Sequence, residues 1–194
     1  IFAGHLQTFF YLSLLSSVYI LIRLWQKKNA KLCLIFLGTW LITVAITSVQ
    51  LIPTLNFILQ SARDVDQFFW QKEGWFIPWQ HLVQFVVPDF FGNPTTLNYW
   101  GVWNWAELTG YAGILPLIMA IYALFFRKDK KTLFFGSLFF ISLIFSLPTP
   151  LSKLPFILDL PFISTAQPTR LLFLTNFSLA IVSSLGLNFL IKTK

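Results

Sequence analysis

Charge is scarce in this sequence: 11% of its 194 residues are Asp, Glu, Lys or Arg, where a water-soluble domain carries about 25%. A globule of this size cannot cover its surface with so few. The bilayer is the better solvent for a chain that is 56% hydrophobic and 19% aromatic. The one cysteine, Cys33, sits inside an apolar run, which excludes a disulfide within the chain and leaves the redox compartment unread. There is no CxxC pair and no Cys/His cluster at ligand spacing, so the sequence points to no metal site. There is also no internal repeat, no low-complexity tract and no leader with a basic start and a small-residue cleavage site. Opening at Ile1 without a methionine, the chain reads as an internal stretch of a longer protein.

What it has in place of charge is apolar length. A membrane-crossing helix needs roughly 20 mainly apolar residues to traverse about 30 Å of hydrocarbon. Five windows qualify: 6–24, 32–52 (stopped by Pro53), 111–126 with reach back toward Ala106, 132–147 before Pro148, and 171–191. The expected fold is therefore all-α, a polytopic bundle in which residues 1–194 form a single transmembrane region.

A net charge of +7 would suggest nucleic acid in a soluble protein. Here the basic residues fall in short clusters between apolar runs, and no basic groove with interleaved aromatics can be traced, so nucleic acid is not an expected partner. Arg23, Lys27, Lys28 and Lys31 fill the first connection, Arg127, Lys128, Lys130 and Lys131 the third, and Lys192 and Lys194 close the chain. The other side holds Arg63, Lys72, Lys153 and Arg170 with all the acids except Asp129. By the positive-inside rule, the C-terminal end is cytoplasmic and segments 54–110 and 148–169 are extracytoplasmic.

Both outer loops are unusual. Trp70, Trp75, Trp79, Trp100, Trp103 and Trp105 all fall in the first, and tryptophan favours the headgroup zone because an apolar ring carries one N–H that wants a partner. Residues 81–87 are apolar but too short to cross, and suit an interfacial or re-entrant helix. The second loop carries Pro148, Pro150, Pro155, Pro161 and Pro168, a density that favours an extended path over a helix.

Four strings then carry a resemblance: AGHLQTFFY from Ala3, PDFFGNP from Pro88, NWAELTGYAGILPL from Asn104, and LPTPLSKLPFILDLPFISTAQPTRLLFL from Leu147. In order and spacing the chain resembles the bacterial YfhO-type membrane protein family, placed with the GT-C type glycosyltransferases. The resemblance implies a protein of the bacterial inner membrane. It also implies a polyprenyl-phosphate-linked sugar as donor, an envelope glycopolymer or lipid as acceptor, and membrane lipid as surroundings, with a divalent cation the one cofactor the chemistry admits. Three departures stand out. Asn56 replaces the glutamate often found after the second-helix proline. Ala166 replaces the first of two arginines around Pro168. The catalytic acid usual in the first outer loop of such enzymes would precede Ile1.

Within this frame Glu107 and Asp89 are the candidate catalytic carboxylates, able to take the acceptor's proton or to orient an ion. Glu107 serves equally as a helix cap, and Asp89 also suits a turn before Gly92. Arg63 and Arg170 match phosphate geometry, though membrane arginines also snorkel to lipid phosphates. Trp103, Asn104 and Tyr111, which flank Glu107, together with His5 at the outer end of the first helix, complete the expected substrate-binding set. His81 reads as structural. The tryptophans fit either a glycan cleft or an interfacial belt. Rival functions are a transporter or flippase of lipid-linked sugars, disfavoured by helix centres nearly free of ionisable groups, and a non-catalytic membrane scaffold.

Overall fold

The computed structural model describes residues 6–27, 30–60, 69–160, 163–164 and 166–193, and every regular element among them is helical. The α-helices are α1 (Leu6–Lys27), α2 (Ala30–Leu59), α3 (Trp105–Leu108), α4 (Ile114–Phe126), α5 (Lys130–Ser146), α6 (Pro150–Ile157) and α7 (Leu172–Lys192). Short 3-10 turns occupy Phe69–Gln71, Trp79–Phe85, Pro94–Thr96 and Pro168–Leu171. The chain divides into two compact units, Ile1–Gln67 and Phe68–Lys194.

The first unit is built from α1 and α2. Both present large apolar side chains outward, such as Leu41 at 72% and Val49 at 79% exposure, as a helix dissolved in lipid does. Hydrocarbon offers no hydrogen bonds, so polar side chains must be satisfied within the helix. In α2 the hydroxyls of Thr39, Thr43, Thr47 and Thr54 each donate to the carbonyl four residues earlier, at 2.7–2.8 Å. α2 does not stop at Pro53 but runs on to Leu59. A proline lacks one N–H and crowds the carbonyl four residues earlier, a local cost that a transmembrane helix tolerates.

Among the described residues three spans are long and apolar enough to cross a membrane: Gln7–Gln26, Lys31–Phe57 and Pro168–Lys192. α5 and α6 pass the same test only as a pair bent by 63°. α4, at 13 residues, extends about 20 Å at 1.5 Å per residue.

In the second unit α7 packs against both α4 and α5. The α4 seam is made of small residues. Ala120 and Ala123 meet Leu179 and Val182, with Leu117, Leu124, Phe135 and Phe139 packed around them. Close approach of backbones, and not hydrophobic exclusion, holds helices together in lipid. On the α5 side Ser142 and Thr175 share a buried hydrogen bond of 2.9 Å.

The turn between α4 and α5 is tied down by charge. Arg127 bonds Asp129 through Nε at 2.7 Å and reaches the Leu185 carbonyl of α7 at 2.9 Å, while Asp129 caps α5 by accepting the Thr132 N–H at 2.7 Å. Burial alone would raise the Asp129 carboxyl, but the Thr132 N–H and the Arg127 guanidinium outweigh it and hold it below its ordinary 3.8. A depressed carboxylate stabilises the fold above the unfolded-state value, and that contribution is lost as pH falls through the folded-state value. The melting temperature is therefore expected to drop as the pH is taken below about 4. Asp129→Asn keeps a capping oxygen but no charge, and should lessen that drop in a thermal-shift titration. An unchanged pH profile in the variant would remove Asp129 from this role.

The described part of the long loop before α4 is folded onto the helix ends. Ile77, Phe85 and Leu108 pack with Leu147 and Leu172 in one buried cluster, and the Ile77 N–H donates to the Ser146 carbonyl at 2.9 Å. Two expectations need correction here. The third apolar helix begins at Ile114, not near Ala106 or Tyr111. Thr109 is extended and Gly113 takes φ 103°, so the one-turn α3 is a separate element. The second loop is not simply extended, because α6 forms two turns within it. Pro150 sits at the first helical position, where no N–H is needed, and the Thr149 hydroxyl accepts the Ser152 N–H at 3.1 Å.

Candidate functional site

α3 is a single helical turn that carries Glu107. The Asn104 side chain caps it by accepting the Ala106 N–H at 3.3 Å, and Leu108, fully buried, anchors it to the core. Glu107, on the same single turn, meets the 3-10 turn Pro168–Leu171, whose entry Pro168 is preset for a helical start. Gln167 Nε2 donates to Glu107 Oε2 at 2.5 Å and the Thr169 hydroxyl to the same oxygen at 3.3 Å. Arg170 Nη2 faces Oε1 at 3.4 Å. The side chains of Arg170 and Glu107 are 23% and 27% exposed, so the pair is shielded without being sealed. Three donors from one short segment thus converge on a carboxylate about sixty positions earlier in the chain.

A charge-assisted N–H···O bond is normally about 2.7–2.9 Å long. At 3.4 Å the Arg170 contact is longer than such a bond, as is the 3.3 Å contact from Thr169, and Gln167 makes the close approach. Gln167 and Thr169 are partners that sequence reasoning missed. Their signal was present, because they lie in the same TAQPTR string as Arg170.

Behind α3 runs a buried polar line. His81 is 1% exposed and Gln84 fully buried. His81 Nδ1 pairs with Gln84 Oε1 at 2.7 Å, and its Nε2 accepts the Val102 N–H at 3.4 Å. These partners assign the ring proton to Nδ1. Gln84 Nε2 donates to the Pro88 carbonyl at 3.0 Å and to the Thr109 hydroxyl at 3.3 Å. Thr109 in turn donates to the Trp105 carbonyl at 3.0 Å. Every member is paired, so the line joins the Pro88 turn to the helix that carries Glu107 without leaving an orphaned polar atom of its own.

The remaining candidates are scattered. Asp89 stays in its own turn, where Oδ1 accepts from Asn93 Nδ2 at 3.1 Å and the carbonyl accepts the Gly92 N–H at 2.9 Å. Gly92 has φ 78°, which favours glycine. Trp103 is 73% exposed. Tyr111 is 41% exposed, in the stretch between α3 and α4. Tyr99 donates its hydroxyl to the Val102 carbonyl, and burial pushes that phenol upward. His5 and Arg63 lie outside the described residues. Among the described residues no group of three His, Cys, Asp or Glu side chains is placed to hold a metal ion.

A cleft of about 450 Å³ brings Lys72, Glu73 and Lys153 together with Trp70, Phe76 and Pro148. No protein-family model, curated protein or solved structure matches the chain.

Proposed function

We propose that this chain is the membrane region of a GT-C-like glycosyltransferase of the bacterial inner membrane. It crosses five times, with 54–110 and 148–169 outside and the C-terminal end in the cytoplasm. What supports the crossings beyond the three long spans is that α4 and α5 pack along α7 and so share its solvent. What supports the sidedness is the clustering of lysine and arginine at alternate helix ends.

The observation that carries the enzymatic reading is the convergence of Glu107 with Gln167, Thr169 and Arg170. It joins the two segments read as outer loops. In the reaction, the bond between the sugar's anomeric carbon and the carrier phosphate breaks, and a bond from that carbon to an acceptor hydroxyl forms. The hydroxyl proton passes to a carboxylate, and polyprenyl phosphate leaves. Arg170 turns its guanidinium to the donor phosphate. Glu107, still oriented by Gln167 and Thr169, faces the acceptor. Asp89 is a turn residue in this scheme.

The test is transfer itself. Full-length protein in membranes, supplied with a radiolabelled polyprenyl-phosphate sugar, is expected to move label to an envelope polymer or lipid. A folded protein that moves label from none of the common sugar donors, but carries lipid-linked sugar across vesicles, would replace the enzyme with the flippase reading.

A further inference from the structure

The outer loop of the second unit also encloses a cleft of about 770 Å³. Its walls mix surfaces that avoid water with groups that seek it: Phe90, Trp100 and Trp103 stand with Glu73 and Gln80. Phe90, Trp100 and Trp103 are 48%, 65% and 73% exposed, so their ring faces are offered and not spent on the core.

The cleft is built in advance of any ligand. Phe91 packs on Trp100 at 4.7 Å and on Phe90 at 5.0 Å, and stacks on the buried His81 ring at 4.3 Å. That ring is fixed by Gln84 and Val102. Two glycines admit the close contacts that set the wall. A Cβ on Gly74 would stand 2.4 Å from the Trp103 carbonyl oxygen, and one on Gly101 would stand 2.7 Å from the Tyr99 hydroxyl.

A tryptophan that only anchors a protein at the headgroup level needs an apolar ring and an N–H, with no fixed partner and no carboxylate beside it. A lone cationic headgroup would occupy only a fraction of this volume. A saccharide asks for what is here: apolar C–H faces that lie on rings, and hydroxyls that need an acceptor and a carboxamide in a preformed cleft of this size.

We propose that this cleft binds a glycan chain, with sugar rings lying on Trp103 and Trp100 and hydroxyls held by Glu73 and Gln80. Its role as the acceptor subsite rests on the transferase reading above; the binding itself does not.

The full chain in lipid nanodiscs, titrated with cellotetraose, maltotetraose and chitotetraose, is expected to bind at least one of them saturably by saturation-transfer NMR and tryptophan fluorescence. Trp103→Ala should weaken that binding about tenfold, the scale of one lost aromatic contact. Glu73→Gln, an exposed change of equal size, should weaken it as well and guards against a folding artefact. No saturable binding by folded protein, binding indifferent to both cleft variants, or displacement of the sugar by choline would each overturn the assignment. The two readings fail separately. Oligosaccharide binding without sugar transfer sinks the enzyme alone, and transfer indifferent to Trp103→Ala and Glu73→Gln sinks the cleft's acceptor role alone.

Discussion

Replacing Glu107 with glutamine is expected to cut sugar transfer by at least about a hundredfold, within the usual range for losing a positioned acid or base, while the protein remains folded. The second half of that expectation follows from the geometry. A glutamine amide oxygen can still accept from Gln167 and Thr169, which hold Glu107 Oε2 at 2.5 and 3.3 Å. What it loses is the negative charge facing Arg170. At 3.4 Å that pair is longer than a charge-assisted bond and is still reached by solvent, so the lost charge is expected to cost about 1 kcal/mol. A large loss of activity with a small shift in melting temperature is therefore predicted. Arg170→Ala should raise the donor KM by about tenfold or more, and Arg170→Lys should not restore it, because a point charge lacks the planar fork that matches phosphate. The double variant should cost less than the sum of the two single changes, as contacting residues are coupled. If instead both single variants melt several degrees lower and keep their transfer rates, the cluster is a structural clamp and Glu107 leaves the site.

The apolar helices were legible because lipid imposes a single requirement, continuous apolar length, that a window of residues records directly. The start of α4 was not, since the window has no measure for Thr109 in an extended conformation or Gly113 at φ 103°. α6 was hidden by reading prolines by number and not by position. Pro150 preceded by Thr149, with Ser152 next to be capped, is a helix start. In the site, Glu107 and Arg170 stood out singly as a carboxylate and a guanidinium in distinctive strings. Their meeting depends on α3 and the Pro168–Leu171 turn docking from 63 positions apart, and no spacing rule spans that distance. His81 and Gln84 sit three residues apart, a spacing visible in the sequence. Their burial comes only when the loop folds over them.

Adding one methyl group at Gly186 should damage the second unit, and the same change at Gly38 should be harmless. Both glycines lie inside apolar helices, so propensity alone predicts a gain of up to about 1 kcal/mol on changing either to alanine. Gly38 has nothing within 4 Å of its would-be Cβ, and there the gain is expected to survive. At Gly186 the Cβ would stand 2.1 Å from the Met119 carbonyl oxygen and 3.2 Å from the Ala123 Cβ. The first of these is backbone and cannot rotate aside, so α4 and α7 must separate along the seam of Ala120, Ala123, Leu179 and Val182. Overpacking of this kind costs about 1–3 kcal/mol, which outweighs the propensity gain, and leucine at this position should prevent assembly of the pair. Gly136 provides a graded control, because its would-be Cβ meets only the Leu124 Cδ2, at 2.6 Å, and that side chain can turn away. The expected order of melting temperatures in detergent is Gly38→Ala highest, Gly136→Ala next and Gly186→Ala lowest. A Gly186→Ala protein as stable as Gly38→Ala would mean that α4 and α7 do not pack at backbone contact. The position of α3 and Glu107 just ahead of α4 would then lose its support.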